Sequence, residues 1–418
     1  MKVNDFARKM MSNSVAQGIN FGSRWLLNLA LARHLLEREF GLFSFVYMLA
    51  NLLFPTLAYG VSFYLIHHTA QQRQISALLS SLIISALLFV LLNVMFSLYA
   101  FTASSALPYH FYLLSLLIGL IWAFNQAVFS YLKGAQQFSI EVKGQLLGGG
   151  CMLLLVAAVW FEWLNDTASI LTWIIVVSVP SLLVGCWHLW PEFKQHRASL
   201  ASRTLWQQIW QPSIWRERFS YAWHDVFAIY LTNIPFIFLA LFSSLTALGQ
   251  FRKAFILFMP VTLLPVVFSQ VLLAKLANKT VFSERVALFR RSLLLTFPLL
   301  SLPYLLLLLL YPWLYPWLLN EELTPSASLV TGLVVLTLWL TLFKTYFEVW
   351  LTALGYSHWR AGNVTLIAIL GSLAYFVVNN DLTPELAAWI FMASNLAAVL
   401  CLQGLSWRVY RRESKQQD

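Results

Sequence analysis

Residues 76–101 read SALLSSLIISALLFVLLNVMFSLYAF. No Asp, Glu, Lys or Arg interrupts these 26 residues. As an α-helix the run would be about 39 Å long, more than the ~30 Å hydrocarbon core of a bilayer. The rest of the chain follows the same habit. Of its 418 residues 60% are apolar and 11% charged, against about a quarter charged in a soluble domain. Aromatic residues make up 16%, with 18 Trp and 32 Phe. The chain therefore reads as an all-α integral membrane protein that crosses the bilayer many times.

Windows of about 20 apolar residues predict twelve transmembrane helices, at 12–33, 41–66, 75–99, 110–132, 142–162, 168–190, 219–242, 249–274, 288–311, 326–350, 360–379 and 385–408. The longest link, 191–218, divides them into an N-terminal half (1–190) and a C-terminal half (219–418). With the N-terminus inside, 21 of the 27 Lys and Arg fall in the termini and inward links, and four (Arg33, Arg38, Arg252, Lys253) on the outer side. That bias predicts cytoplasmic termini. The +10 net charge is then topology, with no basic soluble segment for nucleic acid. The N-terminus MKVNDFARKMMSNS is expected to be a retained cytoplasmic end, not a signal peptide. LWQQIWQPSIWRERFSYAW, 205–223, reads either as an amphipathic linker in the inner interface or as Trp and Arg anchors of a helix end.

Cys151, Cys186 and Cys401 lie in apolar runs, without CxxC or metal-ligand spacing. No cofactor or metal is expected. Gly148, Gly149 and Gly150 sit within an apolar span and lack the Lys-Ser/Thr of a phosphate loop. They predict close helix packing.

A faint internal repeat supports the division in two. EFGLFSFVYMLANLLFP (39–55) and ALGQFRKAFILFMPVTL (247–263) align at an offset of 208 residues, with Gly41, Phe43 and Leu49 matching Gly249, Phe251 and Leu257. YLKGAQQF and TALGYSHW align Gly134 with Gly355. Parallel six-span repeats suit alternating access.

LARHLLEREFGLFSFVYMLANLLFPTLAYGVSFYLIHHTAQ (31–71) resembles the first two spans of Wzx-type polysaccharide flippases of the MOP exporter superfamily, and ALGQFRKAFILFMPVTLLPVVFSQVLLAKLA (247–277) resembles their eighth. ARHLLEREFG stands where that family has a more glycine-containing turn. The resemblance implies a MATE-like fold: two six-helix lobes around a central cavity lined by spans one, two, seven and eight. It also implies the cargo, an undecaprenyl-diphosphate-linked oligosaccharide moved from the cytoplasmic to the periplasmic leaflet of a bacterial inner membrane. The expected partners are the bilayer, that lipid-linked substrate, and a polymerase and chain-length regulator of the same pathway.

Ionisable groups within spans cost a few kcal/mol and so mark cavities or partners. Asn13, Gln17, Asn20, Arg24 and Asn28 share one face of the first span. They read either as interhelical hydrogen bonds or as a cavity wall whose guanidinium meets a diphosphate. Span two adds Asn51 with Ser44, Tyr47, Tyr59 and Ser62 around Pro55. Arg252 and Lys253 open span eight, as snorkelling ends or as positive potential along the path of an anionic head. Lys344 and Glu348 are an i, i+4 pair that either neutralises itself or relays protons. His224 and Asp225 stand near the inner end of span seven as a proton-coupling pair or an ordinary helix end. Pro260, Pro265, Pro298 and Pro303 can bend their helices.

Two other functions are weighed. Exporters of cationic compounds in the same superfamily should carry acidic cavity residues, whereas Arg24, Arg252 and Lys253 favour an anion. A membrane polymerase or ligase should present a long outer loop with catalytic groups, and every outer link here is short.

Overall fold

The computed structural model describes residues 3–71, 75–102, 107–195, 209–277 and 281–414; within its helices some side chains, those of Asn13, Gln17 and Ser62 among them, lie outside the described set. Every regular element among the described residues is helical. The helices are α1 (Val3–His34), α2 (Glu37–Ala58), α3 (Val61–Gln71), α4 (Ile75–Thr102), α5 (Tyr109–Gly134), α6 (Phe138–Trp160), α7 (Thr167–Gln195), α8 (Pro212–Phe242), α9 (Leu245–Leu257), α10 (Leu263–Ala277), α11 (Phe282–Leu319), α12 (Pro325–Ala353), α13 (Ser357–Val377) and α14 (Pro384–Ser414).

Among the described residues ten single helices are long and apolar enough to cross a membrane, and the bent pair Leu245–Leu257 and Met259–Pro265 makes an eleventh. α1 is not among them. It has 32 residues, about 48 Å at 1.5 Å per residue, but its polar stripe dilutes its apolar character.

Two expected spans are broken. The helix predicted over 41–66 ends at Ala58, because Tyr59 (φ 44°) and Gly60 (φ 67°) both adopt left-handed conformations before α3 begins. Glycine suits that position, and a Cβ there would stand 2.6 Å from the carbonyl oxygen of Arg218. The helix predicted over 249–274 bends by 62° at a 3-10 turn, Met259–Thr262. Pro260 lies in that turn, where it lacks the N–H a continuing helix needs. Pro298 and Pro303 leave α11 unbroken for 38 residues.

The chain forms two compact units, Met1–Leu36 with Leu42–Ile229, and Glu37–Gly41 with Tyr230–Asp418. In the first, α1 packs on α6, α6 on α7, α7 on α5, and α5 on α3 and α4. The glycine run in α6 serves two of these contacts. A Cβ at Gly149 would stand 2.5 Å from Ile19 of α1, and one at Gly148 would stand 3.1 Å from Ser181 of α7. In the second unit α12 is the hub, packing on α14, α10, α11, α9 and α13. The glycines matched by the internal repeat meet there. A Cβ on Gly41 would collide with the Leu245 carbonyl, and one on Gly249 with the Glu37 carbonyl, so two backbones cross where only hydrogens fit.

The 205–223 segment is built into the first unit from Ile209 onward, and residues 196–208 of the long link lie outside the described residues. Trp215 donates from Nε1 to the Ile209 carbonyl at 2.7 Å. Arg218, counted above as an inward link charge, is fully buried. Its Nε donates to the Tyr59 carbonyl (2.9 Å) and its second terminal nitrogen to the Ala58 carbonyl (3.0 Å). Those are C-terminal carbonyls of α2, which have no helical donor of their own. The guanidinium also lies 5.3 Å from the Tyr64 ring centre and 5.7 Å from that of Tyr59.

Candidate functional site

The first unit encloses a polar cavity of about 260 Å³. α1 contributes Asn20, Ser23 and Arg24; α2 Asn51 and Phe54; α5 Trp122, Asn125, Gln126 and Phe129. α6 adds Glu141, Gln145, Gly148, Gly149 and Met152, α7 adds Val177, Ser178 and Ser181, and α8 adds Ile229. Five amide side chains in one small space is an unusual load for apolar helices. The helical period explains it: steps of four bring Asn20 and Arg24 to one face of α1.

Trp122 organises the wall. Its indole packs edge-on against Tyr47 (5.3 Å) and Phe54 (6.4 Å), and the Arg24 guanidinium carbon lies 4.3 Å from its ring centre. A cation over an indole face is held by the ring quadrupole while its N–H groups stay available. Arg24 forms no ion pair among the described residues. Asn51 donates its Nδ2 to the Tyr47 carbonyl at 3.0 Å, which leaves its Oδ1 as an acceptor. Asn125 donates to the Ile121 and Ser178 carbonyls, at 3.1 and 3.4 Å. Among the described groups, Asn125 Oδ1, Trp122 Nε1 and Ser181 Oγ are buried without a hydrogen-bond partner. Buried polar atoms in this state cost about 1–3 kcal/mol each, and a polar ligand or water in the cavity would recover that.

Glu141 is the acid that the sequence reading passed over. It is 4% exposed, and Oε1 pairs with Lys133 Nζ at 2.9 Å. Oε2 is buried and has no hydrogen-bond partner among the described residues. The cavity wall therefore carries both signs, Arg24 from α1 and Glu141 from α6. The sequence signal was an acid in the first turn of an apolar helix, in QQFSIEVKGQ, where only the neighbouring Lys133 and Lys143 had been counted, as topology charges.

The structure brings together Asn20, Arg24 and Asn51 of the expected substrate contacts. Asn28 lies one turn away, 1% exposed, donating Nδ2 to the Arg24 carbonyl at 2.8 Å. The side chain of Gln17 lies outside the described residues. Arg252 and Lys253 belong to the second unit and are buried there. The Arg252 guanidinium sits 5.1 Å from the Phe236 ring and 5.7 Å from Phe255. Lys253 bonds to Glu321 and lies 3.9 Å from Glu37, and Gln250 donates to Glu37 at 3.2 Å. His224 Nδ1 contacts Asp225 at 3.3 Å. Lys344 and Glu348 form no ion pair with each other among the described residues. Glu348 instead lines a second cavity, of about 250 Å³, with Ser269, Tyr304, Thr341, Thr345 and Arg360.

No protein-family model and no curated protein matches the chain. Solved structures do. An inward-facing multidrug-resistance MATE transporter of the MOP superfamily aligns with TM-score 0.67 at 16% identity, over 97% of this chain and 99% of its own. The lipid II flippase MurJ, in an inward closed conformation, aligns with TM-score 0.69 at 14% identity, over 93% of this chain and 86% of its own. A MOP-superfamily transporter from Pyrococcus furiosus, in which the reverse polarity of the binding pocket suggests a different function, aligns with TM-score 0.64 at 16% identity, over 96% and 95%. The fold of this multi-pass membrane chain is that of MOP-superfamily transporters.

Proposed function

We propose that the chain is a flippase of the Wzx type, moving undecaprenyl-diphosphate-linked oligosaccharide repeat units from the cytoplasmic to the periplasmic leaflet of the bacterial inner membrane. The observation that carries the reading is the first-unit cavity, where an arginine without an ionic partner among the described residues stands on an indole among five amides. Arg24 takes the diphosphate, which matches its planar donor fork. Asn20, Asn51 and Asn125 meet sugar hydroxyls, and Asn28 and Gln17 extend the same helix face. The isoprenoid tail stays in lipid. No bond is broken; transport needs only a cavity that changes the side to which it opens.

In this reading α1 is a span in spite of its polar stripe, α2 and α3 together form another, and the chain crosses twelve times with both ends cytoplasmic. Residues 1–190 and 219–418 are two six-helix lobes joined by 191–218. Arg252 and Lys253 supply positive potential, while His224, Asp225 and Glu348 are candidates for ion coupling. The product feeds an O-antigen or related surface-polymer pathway through its polymerase and chain-length regulator.

Glu141 favours a second reading, export of another amphipathic compound with a cationic group, as the likeness to a multidrug MATE transporter suggests. Translocation of a fluorescent undecaprenyl-diphosphate sugar in proteoliposomes separates the two. Arg24→Ala is expected to lower the rate at least about tenfold, equivalent to one charge-assisted contact, and Arg24→Lys less. Wild-type movement no faster than in protein-free vesicles would reject the flippase reading.

A further inference from the structure

A concave apolar groove of about 730 Å³ opens on the second unit between α11, α12 and α14. Its volume falls in the range of about 300–1,000 Å³ typical of small-ligand sites. The floor is Phe289, Phe347 and Trp350, of which the last two are buried. One wall is the stacked pair Trp407 and Tyr410, with ring centres 5.6 Å apart. Leu400 and Trp407 of its lining are each more than half exposed, so this surface faces acyl chains in a membrane. At the same end of these helices stand Arg290, Arg408 and Arg411 beside Trp350, Trp407 and Tyr410. Clustered indoles and guanidiniums mark the level of lipid head groups.

Of these three arginines Arg290 alone lines the groove. It is exposed and makes no hydrogen bond or ion pair among the described residues. Arg411, by contrast, lies over the Trp407 ring at 4.9 Å. A groove with an apolar aromatic floor and one unpaired guanidinium at its head-group end complements one kind of neighbour. We infer that the groove is a binding site for an anionic bilayer phospholipid, its phosphate on Arg290 and an acyl chain on Phe289, Phe347 and Trp350. The site is separate from the first-unit cavity and does not depend on what that cavity transports.

The test is native mass spectrometry of the purified full-length protein, titrated with phosphatidylglycerol or phosphatidylcholine. The wild type is expected to retain phosphatidylglycerol about fivefold more strongly, the value of one basic side chain at a membrane surface. Arg290→Gln should abolish the preference. Arg291→Gln should keep it, because Arg291 lines a different pocket, with Phe268 and Leu272. Gly404→Leu places bulk in the groove, where a Cβ has nothing within 4 Å, and should weaken retention of both lipids. Preference surviving Arg290→Gln, equal loss in Arg291→Gln, or unchanged retention in Gly404→Leu would each overturn the site. Undecaprenyl phosphate outcompeting phosphatidylglycerol there would overturn its assignment to a bilayer phospholipid.

Discussion

Replacing Arg218 by Met tests how α2 is ended. Among the described residues the guanidinium has no acidic partner; it is held by the Tyr59 and Ala58 carbonyls at 2.9 and 3.0 Å, with a longer contact of 3.4 Å to Ser81 Oγ. Each hydrogen bond from a charged donor contributes about 1.5–3 kcal/mol, and each buried carbonyl left bare costs about 1–3. Methionine recovers part of this, since it fills much of the same volume and removes a desolvated charge. The net loss expected for Arg218→Met is about 2–4 kcal/mol. Arg218→Lys keeps the charge and one carbonyl, and should lose about half as much. Unfolding of the purified protein in detergent, followed by tryptophan fluorescence, should rank wild type above Lys above Met. Amide exchange should rise first at residues 59–64, where the chain leaves α2. If Arg218→Met unfolds within about 0.5 kcal/mol of wild type, the arginine is not what holds this break.

Lys253 is 1% exposed at its side chain, whereas its partners Glu37 and Glu321 are each 37% exposed. Glu37→Gln with Glu321→Gln strands a buried ammonium and should cost about 3–5 kcal/mol. Lys253→Met leaves two carboxylates that water can reach and should cost about 1 kcal/mol; equal losses in thermal unfolding would refute the asymmetry. Asp166 accepts from the Ser169 backbone N–H at 2.8 Å, which caps α7 and holds its carboxyl below the ordinary 3.8. Asp166→Ala should cost about 1 kcal/mol and Asp166→Asn little. A lowered folded value means the contribution is complete above the ordinary carboxylate range and is lost as pH falls from there through the lowered folded value, so the gap between wild type and Asp166→Ala should narrow in acid.

The membrane character of the chain and most helix positions were legible because long apolar runs admit few alternatives. The bend at Pro260 was one of four that the prolines allowed, and Pro298 and Pro303 leave α11 unbroken. The break at Tyr59 and Gly60 was not legible: apolarity continues across it, and the arginine that secures it lies 158 residues further on. Counting basic residues by link treated Arg218 and Lys133 as topology charges. Whether a charge faces water or is buried on a carbonyl or a carboxylate depends on contacts between helices, which no local pattern encodes. Asn20 and Arg24 share a cavity because helical spacing is local information. Glu141 joins them only through the packing of α6 on α1.

The turn Glu37–Gly41 belongs by its contacts to the second unit, although the rest of α2 belongs to the first. Its Glu37 carboxylate lies by Lys253, and Gly41 lies under the Leu245 carbonyl. A gene cut near residue 205 would therefore not yield two self-sufficient pieces. The C-terminal fragment would lack five residues of its own structure, leaving Lys253 with one carboxylate fewer and a bare patch beside Gly249. Co-expressed halves should depend on each other for accumulation. A cut elsewhere, with residues 37–41 grafted ahead of the second fragment, is the arrangement that could free it from its other half.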